Sequence, residues 1–357
     1  MEVWQYGKCK KMNILSLFDG MSCSQIALNN LGIKYDNYYA SEVDKYVIKV
    51  TQANYPNTIQ LGDVRNIKVS DLPKIDLLIG GSPCQGFSFA GKQLNFEDER
   101  SKLFFEYVRI LREVKPKYFL LENVLMKKEY QDVISKELGI EPIMINSSLL
   151  SAQNRKRLYW TNIKEGYFDL FGNKVSFIPQ PGDKNLVLKD ILENGFVDRD
   201  KAHCLTATYF KGVDLDNYLE KKQRQIVFNS CKLVGLATDI KGNDSIKRVY
   251  SEYGKAPTLT AICGGNQEPK IYQKPHGFNA GKILENKAPS LTANSYQENN
   301  LLIDKNDYRK LTVRECARLQ TIPEWFNFPV SNSQAYKMIG NGFTVDVIAF
   351  ILSFIDS

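Results

Sequence analysis

Gly80-Gly-Ser-Pro-Cys-Gln-Gly-Phe-Ser-Phe-Ala-Gly-Lys92 follows the apolar run Ile75-Asp-Leu-Leu-Ile79. The run reads as a buried strand, and Gly, Ser and Pro then break it into a loop. Cys84 therefore falls just past the carboxyl end of a strand, where a parallel α/β sheet presents its reactive groups. Pro83 fixes its own φ and restricts Ser82, which stiffens the chain entering the cysteine. Glycines on both sides leave room for a ligand against the backbone. A lone cysteine after a strand is more often a small inert apolar residue. The segments around this one change that balance.

Working outward, Asn13-Ile-Leu-Ser-Leu-Phe18 predicts a first strand, Asp19-Gly-Met-Ser-Cys-Ser24 a turn, and Gln25-Ile-Ala-Leu-Asn-Asn-Leu31 a helix stopped by Gly32. A strand, a small-residue turn and a helix present backbone N–H groups to a cofactor. The Gly-x-Gly-x-x-Gly fingerprint is missing, which disfavours a nicotinamide enzyme. Tyr38-Tyr-Ala-Ser41 predicts a second strand ending on Glu42, at the position that holds a ribose hydroxyl in nucleotide-type folds. Thr58-Ile-Gln-Leu61 predicts a third strand leading to Asp63, which is able to accept from an adenine amino group. Each acid alone reads more simply as a solvated loop residue; two at successive strand ends are more persuasive.

Beyond the Cys84 loop, Ser101 is the expected cap of an amphipathic helix over Leu103-Phe-Phe-Glu-Tyr-Val-Arg-Ile-Leu-Arg-Glu-Val114, stopped by Pro116. Tyr118-Phe-Leu-Leu121 predicts the next strand, ending on Glu122-Asn-Val124, so an acid lies at the same sheet edge as Cys84. Short strands are expected from Glu141 to Leu150. In Ser151-Ala-Gln-Asn-Arg-Lys-Arg-Leu-Tyr-Trp-Thr161, Arg155 and Arg157 are two apart in an extended stretch and project to one face. They read as an anion or carbonyl clamp, or as a basic surface strand.

From about 165 to 305 helical periodicity fades. One string recurs: Lys201-Ala-His-Cys-Leu-Thr-Ala207, Lys255-Ala-Pro-Thr-Leu-Thr-Ala261 and Lys287-Ala-Pro-Ser-Leu-Thr-Ala293. The string itself reads as repeated β scaffold. The loops after it hold Lys211, Asn266, Gln267, Asn294, Tyr296 and Gln297, side chains able to reach base edges and phosphates. A helix from Thr312 to Gln320 and an apolar closing helix to Phe354 are expected to return the chain to the first domain. The predicted division is a 1–12 extension, a catalytic domain over 13–164 and 308–357, and a second domain over 165–307.

A chain of 357 residues accommodates one large core and a smaller second domain. The net charge of +7 is compatible with a polyanionic partner without establishing one. Seven scattered cysteines without a Cys-x-x-Cys pair, and only two histidines, His203 and His276, argue for a reducing compartment and against a metal site. No apolar run of membrane-spanning length and no signal-peptide pattern are seen, so no membrane association is expected.

In order, these segments resemble the motif set of DNA (cytosine-5)-methyltransferases: Phe18-Asp-Gly-Met21, Glu42, Asp63, Pro83-Cys-Gln85, Glu122-Asn-Val124, Gln153-Asn-Arg-Lys-Arg157, the helix from Arg309 to Gln320, and Gly340-Asn-Gly342. The match covers about residues 13–163 and 308–355. Val43 departs from the large aromatic often found after the second-strand acid. The resemblance implies an α/β, Rossmann-like sheet that binds S-adenosyl-L-methionine, and a smaller β-rich target-recognition domain. It implies Cys84, Glu122, Arg155 and Arg157 as catalytic. Phe18, Asp19, Gly20, Met21, Glu42, Val43, Asp63, Val64, Pro83, Leu103, Asn341 and Gly342 would hold the cofactor. Gln85, Ser88 and Gln153 join the recognition loops as DNA contacts.

The implied chemistry needs these residue types. The Cys84 thiolate adds to C6 of a cytosine flipped out of duplex DNA, which makes C5 nucleophilic. Glu122 protonates N3, and Arg157 holds the base O2. Transfer of the methyl group to C5, loss of the C5 proton and elimination of the thiolate complete the cycle. A free thiol has a pKa of roughly 8.5, so neighbouring arginines must favour the thiolate. A monomer in the cytoplasm of a bacterial or phage-infected cell, with a cognate restriction endonuclease as partner, is expected. An RNA-directed relative acting on tRNA and a non-enzymatic binding protein on the same fold are the alternatives. The length of the recognition region and Gly86-Phe-Ser88 favour DNA.

Overall fold

The computed structural model describes residues 12–83, 99–168, 172, 174–214, 218, 221, 223–228, 233–236, 248–250, 270–273, 282–284, 300–303 and 308–355. The chain divides into two compact units: Met1–Val187 with His203–Lys211 and Val313–Ser357, and Leu188–Ala202 with Gly212–Thr312. The second unit thus begins later than position 165. Residues 203–211, which hold most of the first repeat string, go with the first unit.

The first unit is built on strands β1 (Met12–Leu17), β2 (Tyr35–Ser41), β3 (Ile59–Gln60), β4 (Leu77–Gly80), β5 (Tyr118–Val124), β6 (Ile143–Asn146) and β7 (Lys156–Thr161), in spatial order β3-β2-β1-β4-β5-β7-β6. β1 lies parallel between β2 and β4, β5 is parallel to β4, and β7 runs antiparallel between β5 and β6. The order reverses between β1 and β4, and that switch point opens a crevice at the carboxyl ends of the strands. The central strands read as apolar runs because both faces are covered: Ile14, Leu15, Leu17, Leu77, Leu78, Ile79, Leu120 and Leu121 are fully buried.

Helices α1 (Cys23–Asn30), α2 (Lys45–Asn54), α3 (Glu99–Val114) and α4 (Lys128–Leu138) connect the strands. α3 starts two residues before the Ser101 expected to cap it, since Glu99 and Arg100 are good helix formers. Its Phe104, Tyr107, Val108 and Ile110 sit in one core cluster with Leu78, Leu121 and Trp160. The stretch after β6 is a helical turn, Ser147–Leu149, and not a strand, because the Asn146 side chain accepts from the Ser148 N–H and caps it.

The C-terminal segment supplies α5 (Val313–Leu319), α6 (Asn332–Asn341) and α7 (Val345–Leu352), and α7 packs on α1. Contrary to expectation, Asn332–Leu352 has the length and apolarity of a membrane span. It is split at Gly342 into two helices and is largely buried in its own unit, so it is a core segment.

The second unit contributes β10 (Ile226–Phe228) antiparallel to β16 (Tyr308–Lys310), β11 (Leu233–Leu236) antiparallel to β12 (Arg248–Tyr250), and β13 (Lys270–Gln273) flanked by β14 (Lys282–Leu284) and β15 (Asn300–Ile303). The strands β8 (Glu165–Phe168) and β9 (Lys174–Ser176) form a separate pair within the first unit. In the second unit Tyr218, Ile226 and Phe228 make a small core, and Phe196 stacks on Phe228 at 5.2 Å.

Candidate active site

The turn leaving β1 has three residues with left-handed backbone, Phe18 (φ 56°), Gly20 (φ 59°) and Ser22 (φ 59°). Such a run folds the backbone tightly, and glycine adopts it without strain. The Gly20 N–H donates to Glu42 Oε2 at 3.0 Å. The other carboxylate oxygen, Oε1, accepts from the N–H groups of Val43 at 2.7 Å and Asp44 at 2.9 Å. Glu42 at the end of β2 is thereby fixed, with lone pairs left over. Asp19, beneath the turn, is buried and accepts from the hydroxyls of Ser22 and, at 2.7 Å, Tyr38. Burial raises its pKa to about 6, against the lowering effect of those hydroxyls.

Across the switch point, β4 ends in Gly80-Gly-Ser-Pro83. A Cβ on Gly80 would meet the Tyr107 ring at 2.8 Å, and one on Gly81 the Phe343 ring at 2.8 Å and Glu122 Oε2 at 3.5 Å. Both glycines are therefore set by close packing rather than by a special φ. Ser82 accepts from Asn123 Nδ2 at 3.3 Å, which ties the strand end to the Glu122-Asn-Val stretch of β5.

Glu122 Oε1 pairs with Arg157 Nε at 3.0 Å; the two side chains are 12% and 14% exposed. They come from neighbouring antiparallel strands, with Val124 opposite Arg157 and Glu122 opposite Tyr159. Arg157 Nη1 also donates to the Lys156 carbonyl at 2.9 Å.

Together these groups line a cavity of about 400 Å³. It brings Phe18, Asp19, Gly20, Glu42, Pro83, Glu122, Arg155, Arg157, Asn341 and Gly342 to one crevice, as expected of residues scattered over the chain. Cys23 also lines it, but burial pushes its thiol up to about 12, so it is no nucleophile at neutral pH.

Other expected residues fall elsewhere. Met21 and Val64 are core side chains, and Leu103 packs against the core. Val43 is 71% exposed and outside the cavity lining. Asp63 is held in an ion pair with Arg65 at 2.5 Å and caps the Val64–Asn66 turn. The Arg65 bond lowers its pKa.

Gln153, expected at the DNA, is wholly buried here: its amide donates to the Leu319 carbonyl at 2.7 Å and to Gln320 Oε1 at 2.9 Å. Arg155 is not an open clamp. Its guanidinium, 3% exposed, donates to the carbonyls of Leu205 at 3.0 Å, Gly340 at 3.3 Å and Gly342 at 3.0 Å. Lys211 is exposed on the turn Tyr209–Lys211. Cys84, Gln85, Ser88, Asn266, Gln267, Asn294, Tyr296 and Gln297 lie outside the described residues.

Sequence reasoning missed Asp44, Gln334, Lys337, Met338 and Phe343, which also line the cavity. Gln334, Lys337, Met338 and Asn341 recur at helical spacing and share one face of α6, a pattern that marks them once Asn341 is placed. Lys337 Nζ pairs with Asp44 Oδ2 at 2.9 Å, which couples α6 to the start of α2.

Comparison with known proteins adds to this geometry. The family model described as C-5 cytosine-specific DNA methylase matches residues 12–357. The orphan methyltransferase M.SPBetaI of Bacillus phage SPbeta is 31% identical, over 96% of each chain. The type II methyltransferase M.HhaI of Haemophilus parahaemolyticus is 29% identical, over 95% of this chain and 93% of its own. Among solved structures, a variant of Spodoptera frugiperda DNMT2 superposes with a TM-score of 0.56 at 18% identity, covering 96% of this chain and 99% of that one. A putative DNA modification methyltransferase from an Escherichia coli prophage gives 0.52 at 19%, covering 96% and 98%. Those two likenesses are of fold.

Proposed function

The chain belongs to the C-5 cytosine-specific DNA methylase family, and on that premise we propose that this DNA cytosine-5 methyltransferase takes its methyl group from S-adenosyl-L-methionine and acts through a covalent Cys84 adduct on a flipped-out cytosine. The observation that carries the reading is the Glu122–Arg157 pair, half-buried in the crevice that Pro83, one residue before Cys84, also lines.

The cavity's donors and acceptors fit the cofactor. Glu42, already oriented by three N–H groups, keeps lone pairs for ribose hydroxyls. Asp19 and Glu42 set two acids against a ligand that is cationic. Phe18, Gly20, Pro83, Asn341 and Gly342 would complete the cradle. Asp63 would have to release Arg65 to accept from an adenine amino group. When bound there, the cofactor supplies an electrophilic methyl group.

The chain's own groups do the rest. Duplex DNA hides every atom concerned, so the base must leave the stack. The Cys84 thiolate adds to C6 and sends an electron pair toward C5 and N3. Glu122, held through Oε1 by Arg157, faces Gly81 with Oε2 and meets the N3 edge; having first taken up a proton from solvent, it passes that proton to N3 as the thiolate adds, which offsets the charge. Arg157 carries the positive charge of the pair into the pocket and is the group for the base O2. Arg155 is a positioning residue that ties residues 205, 340 and 342 to β7. The proposal extends to a monomer in the cytoplasm of a bacterial or phage-infected cell. A cognate endonuclease would be its partner, in line with the type II name of one relative.

The experiment uses duplex DNA carrying 5-fluorocytosine, which cannot lose its C5 substituent as a proton is lost. A denaturation-resistant adduct that requires S-adenosyl-L-methionine and disappears in Cys84→Ala is the expected result. An adduct that survives Cys84→Ala would overturn the assignment.

A further inference from the structure

Most of the first copy of the repeat string lies in residues 203–211, which belong to the unit that holds the cavity. There the string is pressed against the active-site wall. A Cβ on Gly340 would lie 2.4 Å from the Thr206 carbonyl, so the string's backbone touches Gly340-Asn-Gly342 directly. The Leu205 carbonyl accepts from Arg155 at 3.0 Å, and the Leu205 N–H donates to Gln153 Oε1 at 3.3 Å. Cys204 immediately precedes these anchors. Its sulfur lies 3.5 Å from Arg155 Nη1 and 3.9 Å from Arg157 Nη2.

Sulfur is a weak acceptor in its thiol form, but both of its partners are cations, and charge strengthens such contacts. Arg157 then has a different partner on each nitrogen: Glu122 on Nε, the Lys156 carbonyl on Nη1, and Cys204 on Nη2. A planar guanidinium held at three corners cannot rotate away from the carboxylate. The other two copies of the string carry Thr258 and Ser290 at the position of Cys204. All three residues are small and bear one acceptor on Cβ, so an acceptor is a feature of the string itself.

We propose that Cys204 is a positioning residue for methyl transfer, its sulfur holding the guanidinium of Arg157 in the orientation that pairs it with Glu122. This rests on the functional reading above. The two arginines also bear on the thiol: burial raises its pKa, but Arg155 and Arg157 outweigh that and leave it lowered.

The test compares Cys204→Ala, Cys204→Ser and Cys204→Thr in the full chain. Cys204→Ala is expected to lower the turnover number roughly fivefold, the effect of one weak contact to a charged group. Cofactor affinity and the KM for DNA should stay within about twofold, because the contact orients a group acting in the transition state. Cys204→Ser and Cys204→Thr should return turnover to within about twofold, since each restores an acceptor on Cβ. Unchanged turnover in Cys204→Ala, or Ser and Thr variants as slow as Ala, would overturn the proposal. If the wild-type chain transfers no methyl group to DNA cytosine, the functional reading fails instead. A crystal structure of Cys204→Ala then decides the positioning role. Arg157 displaced from Glu122 supports it, and the 3.0 Å pair left intact refutes it.

Discussion

At the scale of single residues, Asp19 is the carboxyl group that its surroundings disturb most visibly. Its folded pKa of about 6 lies above the ordinary 3.8, so the fold prefers it protonated. Stability from this group is present below pH 3.8 and is lost as pH rises through 6. Asp19→Asn removes the dependence. Denaturation curves from pH 4 to 7 should show the variant gaining on the wild type by about 2 kcal/mol across that window. A constant difference would mean the carboxyl does not titrate there. Glu122→Gln keeps a partner for Arg157 but has no proton to give. Turnover should fall on the order of 10²–10⁴-fold with cofactor affinity unchanged, measured by methyl transfer and by titration calorimetry. Glu42, just past the end of β2, and Glu122, inside β5 two residues before its end, were legible as candidates because the apolar runs before them mark where each strand nears the crevice. Lys337 and Cys204 were not legible. Their roles come from helices and strings brought together by tertiary packing, which no local pattern announces.

At the scale of elements, the strand runs were readable because β1, β4 and β5 carry apolar stretches over most of their length, and a buried parallel strand leaves that trace. The order β5-β7-β6, with one antiparallel member, was not, because pairing is non-local. The Gln-x-Arg-x-Arg stretch shows the same limit: spacing revealed two arginines on one face but not which would be consumed by carbonyls. Gln153 belongs to a buried chain of amides and hydroxyls that joins β7 to α5 and α7 through Gln320 and Thr344. Gln153→Ala should cost on the order of 3 kcal/mol by leaving buried groups unpaired. It should leave the DNA sequence preference intact, as read by methylation-sensitive sequencing. A changed preference in a stable protein would restore Gln153 as a DNA contact. Gly340→Ala would drive a methyl group into the Thr206 backbone at 2.4 Å. The expected outcome is about 1–3 kcal/mol of lost stability, seen as a lower Tm.

At the scale of the whole molecule, the chain divides into two compact units. The first carries the sheet, the cavity and the motifs. In the second, over 188–202 and 212–312, the described elements are mostly short strands. Replacing 212–312 by the matching segment of a relative with another target should move the sequence preference with the segment, while the reaction stays the same. A hybrid that keeps the original preference would put recognition in the first unit. The central claim is transfer to C5 of cytosine in duplex DNA. Its most direct test incubates the protein with S-adenosyl-L-methionine and, separately, mixed-sequence duplex DNA and total tRNA. Each is then digested to nucleosides, and 5-methylcytosine is quantified by mass spectrometry. The account predicts 5-methylcytosine in the DNA, none in the tRNA, and none in either with Cys84→Ala. Signal confined to tRNA, or signal in DNA that persists without Cys84, would contradict it.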